Sequence, residues 1–317
     1  MMKKKAQFSF AWIFAIIVGG TILFLAIYGA LQVADTRRFQ QDTEIAKSIS
    51  ILTDPLQAGF AESKFGKISF KQETRINNVC FDGEFGKNDL SVSVRSNVGK
   101  PWNDPGGATS IKNKYIFSDE KNTGKEYYIF SKTFEFPYEV SDLLFITPKN
   151  YCFLTPPEKV REDIEGLDIP NIQLADSQEN CTLIEPVKVC FGTGTNCDIT
   201  VSGTCTTCDS EYDEGKVFKD DGEKNFVGNL MYAAIFSERN IYECNVKRLY
   251  YRSEKIAKVL IEKADLMDAR GCDSNLETDL VQWIGRLTDQ TSEEIIDLNS
   301  DAEGLNGKNS RELCGLW

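Results

Sequence analysis

From Phe8 to Val33 the chain carries no charged side chain, an unbroken run of 26 residues. A helix needs about 20 mostly apolar residues to cross the hydrocarbon core of a bilayer, where it satisfies its own backbone hydrogen bonds. The run is long enough to span. A secretory signal has a shorter apolar stretch, ~7–15 residues, closed by small residues at a cleavage site. Before Ala30 and Ala34 the third positions hold Tyr28 and Gln32, which fit such a site poorly. The segment reads as a retained anchor.

Lys3, Lys4 and Lys5 precede the apolar run. Basic flanks stay in the cytoplasm, so the rest of the chain is expected outside. Arg37 and Arg38 on the far flank oppose this bias, but Asp35 adjoins them. The cysteines give an independent indication. Cys80, Cys152, Cys181, Cys190, Cys197, Cys205, Cys208, Cys244, Cys272 and Cys314 all follow the apolar run. An even, dense set confined to one side of an anchor reads as a disulfide framework in an oxidising space.

From Asp35 onward there are 33 basic and 48 acidic side chains, a net charge of −15. That surface repels a phosphate backbone, so nucleic acid is not an expected partner. The chain contains no histidine. This removes Ser-His and Cys-His nucleophiles, imidazole bases and His-ligated zinc hydrolases. An enzyme would have to work with carboxylates, and no pair of them stands out.

Organisation follows from periodicity. Phe39, Ala46, Ile49 and Leu52 share a helical face, and Pro55 is expected to end that helix. From Lys67 to Ser202 the period drops to two, as in Leu90-Ser91-Val92-Ser93-Val94 and Ile199-Thr200-Val201. Tyr115-Ile116-Phe117 and Tyr128-Ile129-Phe130 flank a turn-rich segment and predict a hairpin. Pro101 to Gly107 reads as an irregular loop, and Lys159 to Gly166 as a short helix. The acidic stretch from Asp209 to Asn225 reads as a linker. Beyond it, one helix is expected to begin near Ser237. Two more follow the capping-box patterns Ser274-Asn275-Leu276-Glu277 and Thr291-Ser292-Glu293-Glu294. Gly304 and Gly307 are expected to weaken and stop the last one.

If these helices run up and down, Cys272 and Cys314 meet at one pole and pair. Cys244 then lies a full helix away, beyond the reach of a disulfide. It is expected to cross to the β-rich part and pair with Cys197, Cys205 or Cys208.

Possible sites are few. Cys205-Thr206-Thr207-Cys208 is a CxxC, but it lies among strands in a Gly/Thr/Ser-rich stretch rather than at a strand-to-helix junction. Ordinary disulfides are the expected reading. Asp209, Glu211, Asp213 and Asp220 loosely imitate a calcium loop, but Glu214 stands where the loop glycine belongs. A solvated acidic segment fits better. Asn180-Cys181-Thr182 matches the N-glycosylation triplet. Tyr127, Tyr128, Phe134 and Phe136 are expected in the core, and Trp102 exposed. Gly192-Thr193-Gly194 lacks the remainder of a phosphate loop, so no cofactor is expected.

Lys3-Lys4-Lys5-Ala6-Gln7-Phe8-Ser9, running straight into the apolar helix, resembles the class III signal of archaeal type IV pilin-like proteins. The resemblance implies a peptidase cut between Ala6 and Gln7, leaving the helix as an assembly stem. Ala11 departs from the family, many of whose members carry a glutamate there. The segments Leu230-to-Ser237, Ile241-to-Arg248 and Leu313-to-Trp317 resemble uncharacterised archaeal single-pass envelope proteins, a likeness that implies no activity.

The expected architecture is α+β. Residues 1–34 form a cytoplasmic tail and transmembrane helix, and 35–66 a helical stem and linker. Residues 67–220 form a β-rich extracytoplasmic domain, and 221–317 an antiparallel helical bundle. The expected function is that of a non-enzymatic, membrane-anchored surface protein with a pilin-like accessory or envelope-assembly role. Its partners would be the bilayer and other envelope proteins met through the first helix. Two readings stay open beside it: an anchored binding module for an envelope polymer or calcium, and an extracellular enzyme using carboxylates.

Overall fold

The computed structural model describes residues 10–57, 65–95, 101–192, 194–204, 213–288 and 290–317. It begins with a 48-residue helix, α1 (Phe10–Gln57). The stretch Trp12–Ala30 has a mean hydropathy of 2.3, and none of it is buried. Further along, Asp42, Ala46 and Ile49 are buried. Steps of three and four residues place them on one face. Pro55 does not end the helix, which includes Gln57. A proline disturbs the turn behind it, where it lacks a donor, and the residues after it can stay helical.

Two mixed sheets follow. The first contains β1 (Gly66–Phe81), β2 (Lys87–Val94), β3 (Thr109–Ile111), β4 (Tyr115–Phe117), β5 (Lys121–Glu135) and β6 (Glu139–Thr147). Their spatial order is β3-β2-β1-β5-β6-β4. The expected hairpin between β4 and β5 does not form. Strand β5 is already paired on both sides, by β1 and β6, so β4 takes the outer edge parallel to β6.

Alternation gives this sheet two apolar faces. Tyr127 and Ile129 of β5 cluster with Leu144 and Ile146 of β6 and with Ala46 and Ile49 of α1. Their neighbours Tyr128, Phe130, Leu143 and Phe145 enter the main core on the other face.

The second sheet contains β7 (Tyr151–Leu154), β8 (Ile172–Ala175), β9 (Val187–Phe191), β10 (Ile199–Thr204), β11 (Glu214–Lys219) and β12 (Gly222–Val227). Their order is β12-β11-β10-β9-β7-β8. Strands β8, β7, β9 and β10 run parallel, and β10, β11 and β12 antiparallel. The helix α2 (Glu158–Leu167) makes the crossover from β7 to β8 through buried Val160, Ile164 and Leu167. From Glu214 on, the stretch expected as a linker is the β11–β12 hairpin. Val217 and Phe226 sit at 0% exposure, so these two belong to the core despite the acidic composition around them.

The helices α3 (Leu230–Phe236) and α4 (Arg239–Asp268) are separated at Ser237, where the chain turns extended at Glu238. All seven residues of α3 are buried. The ring of Phe236 meets Phe130, Phe145, Tyr151 and Phe153 from both sheets. The helices α5 (Glu277–Leu287) and α6 (Ile295–Asn309) pack at the C-terminal end of the fold. The Thr291–Glu294 capping box forms as expected. The one at Ser274 does not: that serine is buried, and α5 starts only at Glu277, without a side-chain cap. Gly304 and Gly307 lie inside α6 because the apolar face of Ile295, Leu298, Ala302 and Leu305 holds the helix through them. One continuous core draws residues from the first sheet, the second sheet and the C-terminal helices together.

Every described cysteine is in a disulfide. Cys272 pairs with Cys314 as expected, with Cα atoms 5.8 Å apart. Cys244 does cross to the β-rich part, but its partner is Cys80, at 6.1 Å, and not Cys197, Cys205 or Cys208. The reason is packing: the start of α4 lies against β1, while Cys197 closes a short loop with Cys190. Cys152 pairs with Cys181.

Candidate functional site

Three places combine unusual chemistry with defined geometry: the stem helix, a buried arginine and a charged cleft.

The irregular loop after Pro101 turns out to clasp the stem. Gly107 N donates to Thr43 Oγ1 at 2.8 Å. A Cβ on Gly106 would stand 2.7 Å from the Thr43 backbone nitrogen, so only glycine allows this approach. Below the clasp, Ala46 and Ile49 seal the first sheet. Above it, Trp12, Phe14, Ile16, Ile17, Ile22 and Phe24 are each at least 60% exposed. The docked half of α1 is therefore fixed, and no described residue buries Trp12–Ala30 of the apolar half.

Arg248 of α4 is completely buried. Its guanidinium donates to the carbonyls of Phe85 and Lys114 and to the side-chain oxygens of Asn88 and Asn245. Burial pushes its pKa down to about 10. With the Cys80–Cys244 bridge beside it, this network welds α4 to the first sheet. Each of the three guanidinium nitrogens has at least one protein acceptor, as buried polar groups require.

The cleft, about 390 Å³, lies between the sheets and is lined by Asp119, Lys149, Tyr151, Asp198, Lys219, Asp220, Asp221 and Glu238 among others. Most of its charges have protein partners. Lys149 pairs with Asp119 at 2.5 Å. Lys219 Nζ donates to the carbonyls of Ile235 and Ser237, closing the C-terminal end of α3. Burial drives the Lys219 pKa down to about 8. Asp221 binds Lys224 and accepts from the Arg239 backbone N–H at the start of α4. Burial also raises the Glu238 carboxyl and lowers the Lys224 ammonium. These contacts orient the α3–α4 junction.

The sequence candidates separate accordingly. Ala6, Gln7, Cys205, Cys208, Asp209 and Glu211 lie outside the described residues. Asp213 and Asp220 flank β11 at its two ends, roughly 20 Å of extended chain apart, and cannot ligate one ion. Asp213 instead pairs with Lys159, and Asp220 lines the cleft. Among the described residues no group of three or more acidic or cysteine side chains is placed to hold a metal. Asn180 is exposed. Tyr127, Tyr128, Phe134 and Phe136 are buried, as expected of core residues. Trp102 is half-buried beneath the Arg75 guanidinium, 4.1 Å from its ring centre, and is not the exposed aromatic that was expected.

The Gly106 clasp and the Arg248 weld escaped sequence reasoning. The Gly-Gly pair was the one available signal for the first. Nothing marked Arg248 among the chain's basic residues.

No family model, curated protein or solved structure matches the chain.

Proposed function

We propose that this chain is a non-enzymatic cell-surface protein, oriented by the Lys3–Lys5 flank until a cut between Ala6 and Gln7 removes it, and anchored by α1, which assembles as a stem with pilin-like or other envelope subunits. One observation carries this reading. A single continuous helix is apolar and uncovered along one half, and docked on a disulfide-bonded body along the other. An exposed apolar surface of that length requires lipid or protein to cover it. The Lys3–Lys5 flank and the likeness of the Ala6-Gln7 junction to a class III signal support the orientation and the stem role. The disulfides support an oxidising exterior.

Cysteine cross-linking in native membranes tests the assembly. Ile22, 63% exposed, is replaced by cysteine and the membranes are oxidised. Inter-chain dimers joined through position 22 are expected. Monomers alone, with the chain retained in the membrane after carbonate washing, would reduce α1 to a plain anchor.

A further inference from the structure

Asn180-Cys181-Thr182 is the chain's one Asn-x-Ser/Thr triplet, and the fold disposes its three residues unequally. Cys181 has extended backbone angles, φ −76° and ψ 108°, so successive side chains point to opposite sides. The cysteine turns inward to its bridge with Cys152 of β7. Asn180 and Thr182 both face solvent. The disulfide therefore presents the acceptor instead of blocking it.

The surroundings hold the triplet in place without using the acceptor group. Gln173 of β8 donates from Nε2 to the Asn180 carbonyl at 2.7 Å. Its Oε1 accepts from the Thr182 N–H at 2.9 Å and from the Thr182 hydroxyl at 3.2 Å. The Asn180 carboxamide takes part in none of these bonds, and Asn180 lies on an exposed turn at the edge of the second sheet, where β8 is the last strand.

We propose that Asn180 carries an N-linked oligosaccharide, an inference that rests on the extracytoplasmic placement of the domain. The donor class is a lipid-phosphate-linked oligosaccharide. Asn180 Nδ2 attacks the anomeric carbon, and the new N–C bond forms as the C–O bond to phosphate breaks. The electron pair leaves with the lipid phosphate, and Nδ2 gives up a proton. A bulky, solvated substituent at this point also shields the β8 edge from strand pairing with other chains.

The test is peptide mass spectrometry, without reduction, on the full chain extracted from its native membranes. The peptide containing Asn180 is expected to carry a saccharide mass. Asn180→Gln and Thr182→Ala should each abolish it, and Thr182→Ser should retain it. A bare Asn180 in chains whose Cys152–Cys181 bridge is intact would overturn the glycan while leaving the exterior reading standing. Reduced Cys152 and Cys181 in the native chain would overturn both.

Discussion

The helix α3 and the first half of α1 are both strongly apolar, yet they occupy opposite environments. All seven residues of α3 are buried, enclosed by both sheets and by α4. In α1, Trp12–Ala30 is wholly uncovered. Composition alone does not distinguish a helix buried in its own protein from one buried in something else; length and surroundings do. The short helix finds partners on every side within the chain. The long one outruns the body it belongs to, and only its far end, at Asp42, Ala46 and Ile49, comes home.

The largest effect is expected at the buried pole of this contrast. Phe236→Ala removes a ring that touches four other aromatic rings. It should cost about 3–5 kcal/mol in denaturant unfolding of the purified domain. A loss below about 1 kcal/mol would show that α3 is not the centre of the core. Ile49→Ala, at the junction of the two environments, should cost about 2 kcal/mol. Its signature in hydrogen exchange should be faster exchange of the α1 segment around Asp42 to Ile49, with α3 unchanged. Faster exchange in both would mean the stem and the main core unfold as one unit.

A smaller effect is expected from pH through Lys219, which closes the end of α3. Its folded pKa, about 8, lies below the ordinary lysine value of 10.5 because of burial. The unfolded chain therefore binds more protons between those values. The stability this group contributes is present above about pH 10.5 and is lost as pH falls through about 8. Relative to Lys219→Met, the native chain should gain stability across that window. Parallel pH profiles for the two proteins would contradict the shift. The smallest effect should come from removing residues 1–34: unfolding of the remaining body should change by less than about 0.5 kcal/mol, because Trp12–Ala30 touches none of the core.

Much of this contrast could be read from the sequence. The uncharged run from Phe8 to Val33 announces a helix that needs covering, and period-two alternation announces the strands. The Cys272–Cys314 bridge followed from the expected helix ends. These signals are local, set by spacing along the chain. What was not legible depends on long-range pairing. Cys80 and Cys244 are separated by 164 residues, and nothing near either one specifies the other. Strand β4 resembles a hairpin arm, but its neighbour is decided by which side of β5 is already filled. The linker reading failed because charge dominated the composition of a hairpin whose alternate residues, Val217 and Phe226, are core. The site was less legible than the fold. Arg248 differs from any surface arginine only by where α4 comes to rest.

The central claim is that α1 is an assembly stem exposed by processing, and the mass of the mature N-terminus tests it most directly. Intact-mass and terminal-peptide measurements on protein extracted from native membranes should find a chain that begins at Gln7 and retains the whole apolar helix. A chain that keeps Lys3, Lys4 and Lys5 would contradict pilin-type processing, and one beginning beyond Ala30 would show that the helix is a removed signal and not a stem.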